Sequence, residues 1–222
     1  MMNIEPVTLR GKVVRLEPLQ LQHAADLLSA GQDQAIWTWI PSNAGNSLED
    51  MEHWISTALQ AQDTGTELPF AIIDLTTERA VGSTRYMNIV LNDHGLEIGW
   101  TWLSPSVQRT GVNTECKYLL LAHAFEALGA IRVQFKTHHK NFKSQQAIER
   151  LAAVKEGVLR NAMILPDGSY RHSVYYSIIA SEWPQIKSGL ETKMRQVSGC
   201  LPEQSPDVGN RGVCGVAEQK RG

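Results

Sequence analysis

Between an apolar run that ends at Leu103-Ser104-Pro105 and the longest amphipathic stretch of the chain, Val112 to Leu128, stands the segment Gln108-Arg109-Thr110-Gly111-Val112-Asn113-Thr114. A glycine-bearing loop from strand to helix leaves the first backbone N–H groups of the helix unpaired, at the positive end of its dipole. Such a turn receives a phosphate without help from a metal. The same pattern also describes an ordinary strand–turn–helix junction in which Gly111 eases a tight turn. Two nucleotide-binding loops are disfavoured by the residues themselves. Gly111 is followed by Val112-Asn113-Thr114 and not by the Lys-Ser/Thr pair of a Walker loop, and the three-glycine dinucleotide fingerprint is missing. A pyrophosphate held by a different loop fits better.

A chain of 222 residues can bury one sizeable core, or one large domain with a tail. Its formal charge of −2 argues against a nucleic-acid partner bound through a basic surface. No apolar run approaches ~18 residues, so no membrane span is expected. Met1 to Pro6 lacks the basic and apolar regions of a signal peptide. Three scattered cysteines make neither a disulfide framework nor a zinc motif, and no metal is expected. These features together predict a cytoplasmic protein.

The periodicities predict a mixed α/β domain. A short strand over Lys12–Leu19 precedes a helix with Leu21, Ala24, Ala25, Leu27 and Leu28 as its apolar positions. Ser47-Leu48-Glu49-Asp50 has the spacing of a helix cap and leads into Met51, Trp54, Ile55, Ala58 and Leu59. The connector Ile36 to Pro41 is aromatic, with Trp37 and Trp39 suited to core packing or to one wall of an acceptor pocket. Strands are expected at Phe70–Leu75, Ala80–Val90 and Leu96–Leu103, an antiparallel meander with a hairpin turn at Asn92-Asp93-His94-Gly95. After the loop, Val112, Cys116, Leu119, Leu120, Ala124 and Leu128 form one helical stripe that Gly129 closes with a left-handed cap. A strand from Ile131 to Thr137, a helix from near Asn141, and a hairpin of Val158–Leu165 and Ser173–Ile179 about Pro166-Asp167-Gly168 complete the unit. The folded domain is expected over 1–185. The extension 186–222 reads as disordered from about Gln196, where Gly, Pro and Ser interrupt every period.

Four stretches in this order carry a resemblance: Leu96-Glu97-Ile98-Gly99-Trp100, Gln108 to Thr114, Asn141-Phe142-Lys143-Ser144, and Arg171 to Ile178. Over roughly Val7 to Trp183 the chain resembles the GCN5-related N-acetyltransferases, and within them the branch of ribosomal-protein N-terminal acetyltransferases. The resemblance implies the GNAT-like fold, a central, mostly antiparallel sheet with flanking helices and a C-terminal hairpin. It implies acetyl-CoA as donor, no metal, and a primary amine as acceptor, either a small molecule or a protein N-terminus, attacking the thioester directly. By the same resemblance Gln108, Arg109, Thr110, Gly111, Val112, Asn113 and Thr114 hold the pyrophosphate. The preceding strand splays away from its neighbour at a bulge, so that backbone groups of Thr101, Trp102 and Leu103 pair with the pantetheine amides. A peptide-like arm can be added almost as another strand. Asn141 corresponds to an asparagine that reaches toward the CoA arm, although an asparagine before a helix is also a preferred N-cap. Ser144 corresponds to the acid that protonates the departing thiolate, or is a plain first-turn serine. A homodimer accords with the family's habit.

The attacking amine must lose a proton, so a base is needed. Glu97 is the candidate, eleven positions before Gln108 as in the histone-acetylating members of the family; the alternative is a carboxylate paired with Arg85 or another neighbouring-strand cation. Strand alternation places Glu97, Gly99, Thr101 and Leu103 on one face, opposite Ile98, Trp100 and Trp102. His138 and His139 are runner-up bases at the end of their strand, and Glu115 reads as a helix-surface residue beside the phosphates. Three residues depart from the family pattern. Asn113 stands in place of Gly or Ala, and His138 in place of aspartate. Ala152 stands where glycine usually ends the helix, at a cost of ~1 kcal/mol if its φ is positive. Besides the enzyme, two readings remain: a non-catalytic acyl-CoA-binding sensor, and a structural domain with no ligand.

Overall fold

The computed structural model describes residues 2–165 and 167–198. The strands are β1 (Leu9–Arg10), β2 (Val14–Pro18), β3 (Leu68–Asp74), β4 (Arg79–Val90), β5 (Gly95–Leu103), β6 (Arg132–His138), β7 (Val154–Ile164) and β8 (Tyr170–Ile179). The helices are α1 (Ala24–Ala30), α2 (Leu48–Asp63), α3 (Val112–Ala122), α4 (Phe142–Glu149) and α5 (Trp183–Ser198). One sheet runs in the order β1-β2-β3-β4-β5-β6-β8-β7. Every neighbouring pair is antiparallel except β5 and β6, which are joined through α3. The expected meander and the α/β class are therefore both present.

Alternation along the strands divides the apolar residues between two cores. On one face Val14, Phe70, Ile72, Tyr86, Leu96, Ile98, Val133, Phe135 and Tyr176 meet Cys116, Leu120 and Leu121 of α3, Ile148 of α4 and Ile186 of α5. Burial pushes the Cys116 thiol up to about 11, which makes it a core residue and no nucleophile. On the other face Ala71, Ile73, Ala80 and Trp102 pack against Leu27 of α1, Trp37, and Met51, Trp54 and Ile55 of α2. Ser47 caps α2 as its spacing predicts, accepting from the Asp50 N–H at 3.0 Å. This second core covers the β3–β4 side and reaches β5 only at Trp102, leaving that face of β6 and β8 to polar side chains.

Two expectations are corrected. The boundary at 185 falls inside α5, whose Trp183, Ile186 and Leu190 are buried in the first core, so the folded unit extends at least to Leu190. Helix α5 itself continues through Ser198; the remainder of the expected tail lies outside the described residues. The stripe read as one helix to Leu128 is an α-helix only to Ala122, followed by a π-turn over His123–Ala127. Tyr86, fully buried on β4, donates its hydroxyl to the Leu120 carbonyl at 2.6 Å beside this widening. Gly129 then closes the segment at φ +67, as expected.

Candidate active site

Strand β5 carries an extra residue. Ser83 pairs with Trp102 and Arg85 with Gly99, so Trp100 and Thr101 together oppose the single residue Thr84. Trp100 adopts φ +50 at this bulge. The extra residue inverts the alternation. Leu96 and Ile98 belong to the α3-side core, and so does Leu103, while Trp102 joins Trp37 and Trp54 on the opposite face. Glu97 and Thr101 therefore lie on opposite faces, contrary to simple alternation. Thr101 turns toward α3, where Lys117 Nζ donates to its Oγ1 at 2.5 Å and Thr84 Oγ1 shares a hydrogen bond with it at 2.7 Å. The Lys117 side chain is buried, and burial lowers its pKa.

The parallel pairing of β5 with β6 stops at Glu97 and Gln134. Beyond it β5 follows β4 to Leu103, and β6 follows β8 to His138. The facing edges of the two strands separate into a wedge, and the loop after β5 closes its far end. Gln108 Nε2 donates to the Leu103 carbonyl at 2.9 Å, and Thr110 Oγ1 to the Val107 carbonyl at 2.6 Å. Their side chains thus brace the loop. The left-handed conformation falls on Arg109, at φ +62, while Gly111 has φ −67 and ψ −16, values any residue adopts. A tight turn does not need glycine there; what glycine provides is open approach to the backbone. Among the described residues the N–H groups of Arg109, Thr110, Gly111, Asn113 and Thr114 have no hydrogen-bond partner, and that of Val112 reaches only Thr110 Oγ1 at 3.3 Å. Successive free N–H groups at a helix start make an anion cradle.

Glu115 is not a surface residue. It is buried, and its carboxylate accepts the backbone N–H groups of Lys12, Val13 and Val14 at 2.7–2.9 Å. It anchors the turn between β1 and β2 to the first turn of α3. Gly11 lies in that turn, where a Cβ would stand 2.4 Å from the Glu115 carboxyl carbon.

On the opposite sheet face Glu97 is 1% exposed. Asn88 Nδ2 and Gln134 Nε2 each donate to its Oε2 at 2.8 Å, and Lys136 Nζ stands 3.7 Å from Oε1. The alternative pairing is therefore made with a neighbouring-strand cation, Lys136 of β6, and not with Arg85. Arg85 is bound to Glu67 at 2.7 Å and lies between the rings of Trp54 and Trp100. Further along the same face, the Trp39 ring lies 4.6 Å from that of His138, which stacks in turn on His139. The Lys140 N–H donates to His138 Nδ1 at 3.0 Å, so the neutral ring carries its proton on Nε2. Burial, and then the charges of His139 and Arg171, bring the His138 pKa down to about 4. A ring so placed is a hydrogen-bond donor at neutral pH and a poor base.

A strand pair split into a wedge beside a helix that opens on free N–H groups can hold a ligand with a peptide-like arm and a phosphate. Residues 14–154 match the family model described as an acetyltransferase (GNAT) domain. The chain belongs to the GNAT family. A GNAT structure from Brucella melitensis shares 28% identity and superposes with a TM-score of 0.81, each chain covered to 86%. A T. thermophilus acetyltransferase structure shares 35%, covering 86% of this chain and 99% of that one, with a TM-score of 0.78. Mycobacterium smegmatis RimJ, solved with CoA-disulfide, has the same fold at 22% identity and a TM-score of 0.73, with 86% and 94% covered. Bacillus subtilis YdaF, which carries a ribosomal N-acetyltransferase name, is 32% identical over 87 residues, 39% of this chain and 46% of that protein.

In this GNAT chain Asn141 is the N-cap of α4, its Oδ1 accepting from the Ser144 N–H at 3.1 Å. The Ser144 hydroxyl has no partner among the described residues and is half-buried. Ala152 takes φ +65, the conformation for which the family pattern has glycine. Two features were beyond sequence reasoning, the anchoring role of Glu115 and the Lys117–Thr101 contact. For Glu115 a weak signal existed, an acidic residue in a helix stripe otherwise bound for the core.

Proposed function

We propose that this chain is an acetyl-CoA-dependent N-acetyltransferase whose acceptor is a primary amine. The observation that carries the reading is the wedge between β5 and β6 leading to the free N–H groups of residues 109–114. Those N–H groups hold the pyrophosphate, and the β5 edge at Thr101, Trp102 and Leu103 holds the pantetheine arm through its backbone. When bound, acetyl-CoA supplies the acetyl group as a thioester. Glu97 Oε1 receives the proton of the amine. Its burial, with amide donors filling Oε2, makes a water the carrier between them. The free Ser144 Oγ–H supplies a proton to the leaving sulfur and, being only half-buried, takes one back from solvent in the same step. The ribosomal N-acetyltransferase name of YdaF favours a protein as acceptor, and we take the amine to be its N-terminus.

Calorimetric titration with acetyl-CoA tests the cofactor site. Micromolar binding, about −8 kcal/mol, is expected, weakened at least tenfold by Gly111→Glu, which sets bulk and charge against the phosphates. Unaltered affinity in that variant moves the site elsewhere, and no binding by the native chain ends the reading. Glu97→Gln is expected to retain that affinity and to lower transfer, most severely below neutral pH. Equal rates across pH would remove Glu97 as the base.

A further inference from the structure

The polar sheet face holds one cation more than its internal contacts use. Arg171, the second residue of β8, is 6% exposed, yet its side chain makes no hydrogen bond or ion pair among the described residues, and its Nε is buried without a partner. Arg85, the other buried guanidinium of this face, has both a carboxylate and two aromatic faces against it. An unpaired buried charge is costly, so a chain that keeps one gains something else from it.

The register shows where Arg171 stands. Ser173 pairs with His138, Tyr175 with Lys136 and Ser177 with Gln134, so the alternate residues Arg171, Ser173, Tyr175 and Ser177 share the face of Glu97 and His138. The charge of Glu97 reaches Arg171, and that of Arg171 reaches His138. With His138 neutral, Lys136 and Arg171 oppose the single carboxylate of Glu97. Lys136 stands beside that carboxylate; Arg171 does not touch it. The face thus carries more positive than negative charge, within electrostatic reach of the proposed base.

We propose that Arg171 takes a carboxylate of the acceptor, so that the acceptor is an amine that also bears a carboxylate. This rests on the amine-acetyltransferase reading. A guanidinium presents paired donors that match a carboxylate in two parallel hydrogen bonds, and burial strengthens them. The carboxylate has two sources, the α-carboxyl of a free amino acid or an acidic side chain close behind a protein N-terminus.

The test is calorimetric titration of the full chain, with CoA present, by three acetylated products: N-acetylalanine, N-acetylalanyl-aspartic α-amide, and the neutral N-acetylalaninamide. One of the two carboxylates is expected to bind at least tenfold more tightly than the neutral amide, and which of them does so identifies the source. Arg171→Met is expected to abolish the difference, Arg171→Lys to keep part of it, and the Met variant to melt no lower than the native chain, because it removes an unpaired charge. Equal binding of all three, binding of none, a preference that survives in Arg171→Met, or a Met variant that melts several degrees lower would each overturn the assignment. Transfer to the corresponding free amines is measured separately. Absence of transfer with the carboxylate preference intact refutes the enzyme and leaves the anion site standing.

Discussion

Three carboxylates in this chain have different fates because of what surrounds them. Glu97 is held by two side-chain amides and a nearby lysine, Glu115 by three backbone N–H groups, and Glu67 by one guanidinium. Glu115→Ala would leave Lys12, Val13 and Val14 with buried or part-buried donors and no acceptor. The loss should be about 3 kcal/mol, a melting temperature roughly 6–12 °C lower for a domain of this size. A thermal melt that shifts by less than a degree would show that the β1–β2 turn holds without it. The role was not legible in the sequence. An acidic residue in the first turn of a helix is adequately explained by the dipole alone, and the turn it binds lies about a hundred residues away. Glu97, by contrast, was legible as a candidate from its place on a strand and its offset from the loop, but its partners were not. Asn88 and Gln134 come from two different neighbouring strands.

Elements with a clear period were readable to within a few residues: the meander, α2 with its Ser47 cap, α4 led by Asn141, and the closing hairpin. The bulge in β5 was expected from family resemblance, and its effect on the faces was missed. One extra residue at Trp100 reverses every side chain beyond it. No residue type announces this, because tryptophan at φ +50 is a conformation imposed by the paired strand. The end of α4 is the opposite case, since an alanine in a glycine position was visible and the structure gives it φ +65. Ala152→Gly should therefore stabilise the protein by about 1 kcal/mol, raising the melting temperature by roughly 2–4 °C. A lower melting temperature would mean that chain entropy outweighs the relief of the left-handed alanine.

At the scale of the molecule, two apolar cores clamp the β3–β4 half of the sheet and leave a polar face over β6 and β8. That face gives the protein a pH dependence. His138 is held neutral in the fold, its pKa lowered from 6.5 to about 4 by burial and neighbouring positive charge, while in the unfolded chain it protonates near 6.5. Between these values the unfolded state binds more protons, so stability is full above about pH 6.5 and is lost as the pH falls toward about 4, by up to about 3 kcal/mol. Melting curves of the native chain and of His138→Asn should converge over that interval, the native one falling faster; parallel curves would show that His138 is not the group responsible. The sequence by itself determined most of the elements and the family, and singled out the loop at 108–114 as the candidate phosphate site, because each of these rests on local period or on a contiguous motif. Only the tertiary structure decided which face Thr101 occupies, what Glu97 and Glu115 touch, and that Arg171 Nε is buried with no partner among the described residues. Those facts depend on register between strands and on contacts between residues far apart in the chain, which no local pattern encodes.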